Sequence, residues 1–180
     1  MPLIFITGMS GSGKSSVIRE LEKRGFEAHG VDEEGYADWV SLETGKIKPY
    51  PHDNPPVGDD LHKWFADHDW VLSLERIEEL KAEADAENKL IFLAGVANGD
   101  KDVWHLFDKV ISLSVDEETI RKRVMERHDN EYGKHPDEMA NILMWLEKHD
   151  EKYREFGATI IDATQPLDAV VDEVITVAKG

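Results

Sequence analysis

Gly8-Met9-Ser10-Gly11-Ser12-Gly13-Lys14-Ser15 fits the pattern G-x-x-x-x-G-K-[ST] without a gap. Each residue type has a task at that spacing. The glycines let the backbone turn back on itself and aim successive N–H groups into one concavity, and the start of a helix adds its positive end. Such a nest takes the phosphate tail of a nucleoside triphosphate. The Lys14 ammonium reaches the β- and γ-phosphates, and the Ser15 hydroxyl completes the shell of a bound Mg²⁺. Gly8, Ser10, Gly11, Ser12, Gly13, Lys14, Ser15 and Ser16 are therefore the candidate nucleotide-binding residues. The motif says nothing about what receives the phosphate.

Other residues are placed to complete that chemistry. Phosphoryl transfer needs in-line positioning and charge neutralisation on the moving group more than covalent help. Arg123 and Arg127 lie four apart in the helical stretch Asp116–His128, so they share a face. They either serve the phosphates or pair in solvent with Glu117, Glu118 or Glu126. Asp32 and Glu34 follow a short strand-like segment. Asp32 there either orients Mg²⁺ through water, accepts a proton from an acceptor hydroxyl, or is an acid in a surface turn. Asn98 either bonds an acceptor hydroxyl or caps the turn before Trp104. Trp39, Trp64 and Trp70 flank a proline-rich segment and either stack on a ligand or, as the blander expectation, form the core of a small subdomain. The eight histidines show no metal-ligand spacing, so no structural zinc is expected.

These groups need a scaffold that holds strand ends together. Leu3–Thr7 is an apolar run that predicts a buried strand, and Val17, Ile18 and Leu21 recur at helical spacing after the loop. A weak strand is expected over Gly25–Val31 and a short helix over Ala37–Leu42. Thr44–Asp60, with Pro49, Pro51, Pro55 and Pro56, reads as a long loop. Leu74, Ile77, Leu80 and Ala84 mark a helix over about Val71–Glu87, followed by a strand at Leu90–Ala94 that ends at Gly95. A helical turn at Trp104 leads to a strand at Val110–Leu113. Ser114-Val115-Asp116-Glu117 fits a capping box opening the next helix. Asp129–Pro136 breaks that helix, and the stripe Met139, Ile142, Leu143, Leu146 and Tyr153 predicts a long one. Thr159–Ile161 is the last strand, and Pro166 opens a final helix. Strands alternating with helices give a parallel sheet covered on both faces, with ligands at the carboxyl ends of its strands.

Composition bounds the rest. The chain has 180 residues, 38 acidic against 21 basic, and a formal charge of −17. Such a field repels a polyanion, so nucleic acid is not an expected partner. No apolar run approaches the roughly 18 residues of a membrane span. The absence of cysteine excludes disulfides and, with no basic leader before the first strand, makes the cytoplasm the expected location.

With the strand ends in hand, the chain resembles a small P-loop kinase of the shikimate, gluconate and adenylate kinase-like group, along its full length. The likeness rests on the glycine-loop motif, the acids closing the second strand, Gly95 closing the third, and an arginine-bearing helix followed by Tyr132-Gly133-Lys134. The tail Ile161-Asp162-Ala163-Thr164-Gln165-Pro166-Leu167 is similar to that of gluconate kinases. A narrower likeness, on Asn130-Glu131-Tyr132-Gly133-Lys134-His135-Pro136, is to bacterial AAA-type ATP-binding kinases and implies no particular acceptor.

The resemblance implies one three-layer α/β domain over residues 1–180, with a five-stranded parallel sheet in the order 2-3-1-4-5. Within it, residues 33–88 form an acceptor-binding subdomain and residues 128–137 a lid. It also implies that Arg123 and Arg127 clamp the phosphates, that Thr164 lies beside the adenine, and that Arg76, Gly95, Asp32, Glu34 and Asn98 face the acceptor. Ser15 and Asp32 would hold Mg²⁺. The implied activity is transfer of the γ-phosphoryl group of Mg-ATP to a small metabolite, a nucleoside monophosphate first and a sugar acid or polyol second. Gly95-Val96-Ala97-Asn98 departs from the triple glycine of shikimate kinase, which argues against shikimate itself. A nucleotide-binding regulator or slow ATPase is the alternative reading, and monomer and homodimer both stay open.

Overall fold

In the computed structural model, which describes residues 2–51, 53, 54, 56, 58–97, 102–128 and 132–180 without the side chain of Glu147, Leu3–Thr7 forms a strand, β1, buried at every position. A strand with both faces apolar belongs in the middle of a covered sheet. β1 lies between β5 (Ile91–Ala94) and β6 (Lys109–Ser114), with β2 (Glu27–Gly30) beyond β5 and β7 (Thr159–Asp162) beyond β6; every pairing is parallel. Numbered by its own strands alone, this sheet runs 2-3-1-4-5.

Alternation along β1 separates the two halves of the core. Ile4 and Ile6 join Val17, Ile18 and Leu21 of helix α1 (Lys14–Lys23) and Val170, Val171 and Val174 of α6 (Leu167–Lys179). Leu3 and Phe5 point the other way, to Ile77, Leu80 and Ala84 of α3 (Leu74–Glu87) and to Phe107. Burial of a side chain such as Ile77 contributes roughly 1.5–3 kcal/mol. Among the described residues no helix is long and apolar enough to cross a membrane.

Residues 37–72 differ from expectation. Ala37–Ser41 is a strand, β3, where a short helix is predicted. It pairs antiparallel with β4 (His68–Leu72), placing Trp39 opposite Trp70. Helix α2 (Asp59–Asp67) precedes β4 and takes the last two residues of the predicted Thr44–Asp60 loop. Pairing across some thirty residues outweighs local propensity here. Because β4 takes Val71 and Leu72, α3 begins at Leu74.

The capping expectation shifts as well. α4 spans Glu117–Glu126, and its N-cap is Asp116, whose carboxylate accepts from the Thr119 N–H at 2.7 Å. Ser114 is engaged elsewhere. Its hydroxyl donates to Asp150 on α5 (Pro136–Glu155), as does Ser112 at 3.1 Å. The neighbouring His149 is buried over Thr7 and Ser112, with ring nitrogens 3.4 Å from each hydroxyl. This polar seam fastens the long helix to β1 and β6 directly beneath the glycine loop.

Burial alone would raise the Asp150 carboxyl, but hydrogen bonds from His149, Ser114 and Ser112 outweigh it and hold the pKa below the usual range. The stabilisation is therefore present above the ordinary carboxylate pKa and is lost as pH falls through the lowered folded value. Asp150→Ala is expected to cost about 1–3 kcal/mol at neutral pH, because it removes the acceptor that the Ser112 and Ser114 hydroxyls share. Urea midpoints of the two proteins should differ at pH 7 and converge in acid. Equal midpoints at pH 7 would show that the seam carries no stability.

Candidate active site

The loop between β1 and α1 takes its shape from glycines at two points. At Gly8 a Cβ would stand against Ser12 Oγ and 2.8 Å from Leu113 O, so no side chain fits. Gly13, at φ 102°, is the left-handed N-cap from which α1 starts, and this turn directs the first N–H groups of the helix into the loop. Ser12 is buried, and its Oγ has no hydrogen-bond partner among the described residues. A buried orphan hydroxyl beside a ring of amides suits a phosphate oxygen.

Lys14 Nζ donates to Gly8 O at 2.6 Å and Met9 O at 3.1 Å, lying across the loop. Burial, opposed by the Asp32 charge and reinforced by Arg127, pushes its pKa down to about 8. Arg123, in the last turn of α4, donates to Ser12 O at 3.2 Å and to Ala163 O at 2.8 Å. It thereby ties the loop to the β7–α6 connection. Arg127 does not share that helical face: it is the C-cap of α4, with extended backbone. It still reaches the loop, donating to Ser10 Oγ at 3.2 Å and to Tyr132 O. Three cations, one from the start of α1 and two from the end of α4, thus surround one nest of amides.

These groups line a cleft of about 830 Å³, which also takes in Ser15, Asp32, Glu33, Val96, Asn141, Trp145, Ala163 and Gln165. That volume lies in the range of a small-ligand site. Asp32 opens to solvent at the cleft, but the protein around its carboxyl raises its pKa, and the Glu33 charge raises it further. Lys14 and a hydrogen bond from Trp70 oppose the shift. The set fits Mg²⁺, which keeps phosphate and water ligands and needs only one or two protein oxygens. Ser15 and Asp32 on the cleft wall are suited to supply them.

The other predicted site residues among those described lie apart from that lining. Glu34 pairs with His29 Nδ1 at 2.7 Å and accepts from the Gly30 N–H at 3.1 Å, beside edge strand β2. Arg76 donates to Gly35 O and pairs with Asp38 at 3.4 Å, joining α3 to β3. Gly95 is buried where a Cβ would strike Val31. Thr164 is exposed, its N–H and hydroxyl donating to Asp162 at 2.9 and 2.7 Å. Asn98 lies outside the described residues, as do Asp129, Asn130 and Glu131 of the predicted lid. Trp39 packs on Trp70 and Phe65, with ring centroids 5.4 and 5.6 Å apart, and Trp64 stacks on His68 at 3.8 Å. The tryptophans are thus the core of the small sheet.

Asn141 and Trp145 line the cleft without having been singled out in the sequence. Trp145 had one legible signal: a large aromatic residue set off the apolar stripe of its helix.

A parallel sheet of this order, with a glycine loop leading from its central strand into a helix, defines the three-layer P-loop fold. Residues 4–153 match the family model described as an AAA domain, and the chain belongs to that family. No curated protein matches it in sequence. Among solved structures it is similar to a shikimate kinase from Acinetobacter baumannii in complex with shikimate, with a TM-score of 0.61, 17% identity, and coverage of 98% of this chain and 92% of that one. A gluconokinase from Sinorhizobium meliloti 1021 gives a TM-score of 0.56 at 20% identity, covering 99% and 91%. A deoxyadenosine kinase from M. mycoides with bound dATP gives 0.54 at 14%, covering both chains fully at 100%. At such identities the likeness is one of fold.

Proposed function

We propose that the chain is a phosphotransferase that moves the γ-phosphoryl group of ATP to a hydroxyl of a small metabolite. The observation that carries this reading is the convergence of Lys14, Arg123 and Arg127 on the glycine loop, with the Asp32 carboxylate on the same cleft wall. The loop amides bind the phosphate tail and the cations spread its charge. Magnesium, held at Ser15 and Asp32, would neutralise the β- and γ-oxygens. The acceptor oxygen forms the new bond to phosphorus while the bond to the bridging oxygen breaks, and ADP leaves with that electron pair. The Asp32 carboxylate, which reaches Mg²⁺ through water in this reading, takes the hydroxyl proton. Arg123 holds the loop in register with the β7–α6 connection, beside which the nucleotide base is placed in this reading.

The acceptor classes considered are a nucleoside monophosphate and a sugar acid or polyol. Arg76, tied to Asp38 and Gly35, does not favour the anionic members. The reducing cytoplasm suits a chain without cysteine. Incubation with Mg-ATP and a panel of hydroxylated metabolites tests the reading through acceptor-dependent ADP release. At least one acceptor should raise release well above the rate with ATP alone. An unchanged rate across a broad panel, with ATP bound, would overturn it.

A further inference from the structure

Two residues of α5 face the cleft without a role in gripping phosphate. Asn141 and Trp145 lie one turn apart, and both line the same cavity as Asp32, Glu33 and Val96. The rest of the helix orients them. His149 sits over the seam between β1 and β6, and Asp150 leans toward Ser112 and Ser114 of β6. At 3.6 residues per turn, Asn141 and Trp145 fall on the flank away from Asp150. Trp145 is 54% exposed, and Lys148 Nζ stands 5.4 Å from its ring centroid, holding the indole from one side. An exposed indole in a cleft wall gains most from a flat or C–H-rich ligand face laid against it.

Asp32 and Glu33, just past β2, carry negative charge into the cleft lining, while its cations come from the loop, α1 and the end of α4, and Lys148 stands at the Trp145 ring. Asp32 and Glu33 are neighbours, and each disfavours further negative charge nearby. Lys14 and Arg123 donate into the loop and its surroundings, where a triphosphate would use them. An acid or a phosphate monoester placed beside Asp32 would meet repulsion. A neutral ring would find an amide and an indole, and a cationic one would also find two carboxylates.

We propose that Trp145 and Asn141, with Asp32 and Glu33, form the acceptor wall, and that the acceptor is a neutral or cationic hydroxylated ring compound, such as a nucleoside or an amino sugar. This rests on the phosphotransferase reading and names its substrate class. The transfer is the one already written: acceptor oxygen to phosphorus, ADP as leaving group, the proton to Asp32.

The test uses the intact chain, Mg-ATP and matched acceptors: nucleosides against their 5′-monophosphates, and glucosamine against gluconate. The neutral or cationic member of a productive pair should have a kcat/KM at least about tenfold higher, the size of one stacking contact or one repelled charge. Trp145→Ala should raise the acceptor KM about tenfold while the Kd for ATP stays within about twofold, and Trp145→Phe should restore most of it. Glu33→Gln should narrow the gap within a pair. Preference for the phosphate or the acid, or a Trp145→Ala defect confined to ATP, would overturn the acceptor wall and leave the transferase standing. Release of ADP with no member of either set, while ATP binds, would overturn the transferase reading itself.

Discussion

Lys14→Ala should reduce acceptor-dependent ADP release by about a thousandfold, the range seen when a preorganised charge is removed from a transition state. The lysine lies across the glycine loop on Gly8 O and Met9 O, where the phosphate tail would sit. Its low pKa adds a pH signature. In the free protein the ammonium titrates near 8 because burial and Arg127 disfavour its charge. A bound triphosphate restores the proton by raising that pKa. ATP affinity should therefore be flat below about pH 8 and fall above it, with up to one proton taken up per ATP bound. Titration calorimetry at pH 8.5 in buffers of different ionisation enthalpy reads that proton directly. Identical heats in all buffers would contradict it, and Lys14→Ala should abolish the linkage.

Arg127→Ala is the second large effect, a loss of roughly a thousandfold in kcat with ATP affinity much less affected. Its guanidinium bonds both the loop, through Ser10 Oγ, and the Tyr132 turn that follows α4. A group that joins the glycine loop to a second segment of the chain is expected to act chiefly on the transition state. Arg127→Lys should recover little, since an ammonium cannot make the forked contact. Arg123→Ala should behave differently. That side chain braces Ser12 O against Ala163 O, so its loss should weaken ATP binding as well as turnover. Single-turnover rates and ATP titrations on both variants separate the two roles. Equal losses of ATP affinity in both would place Arg127 with the binding groups.

What was legible in the sequence followed from locality. The glycine loop is contiguous, so its geometry is carried by its own residues. Four of the five sheet strands are short apolar runs between breakers, β2 is a weak one, and their parallel direction follows from the helices between them, while their order was implied by the resemblance. The small sheet was hidden because Trp39 and Val40 acquire strand partners only thirty residues later, in Trp70 and Asp69. Ser114 fits a capping pattern, yet its hydroxyl is taken by Asp150, thirty-six residues on, leaving the cap to Asp116. Arg127 has helical spacing from Arg123 but lies just past the end of α4, and it meets the loop from a different backbone conformation. Asn141 and Trp145 belong to a helix whose apolar stripe draws attention to the opposite face. Only the helix's crossing over β1 and β6 turns them toward the cleft.

The central claim is that the amides at the start of α1, with Lys14, grip a triphosphate. Calorimetric titration of the intact protein with Mg-ATP tests it most directly. The account predicts one site per chain with a Kd well below about 1 mM, a range of about −4 kcal/mol or better, and binding that Lys14→Ala largely removes. No heat of binding at millimolar Mg-ATP, or the same affinity in Lys14→Ala, would contradict it.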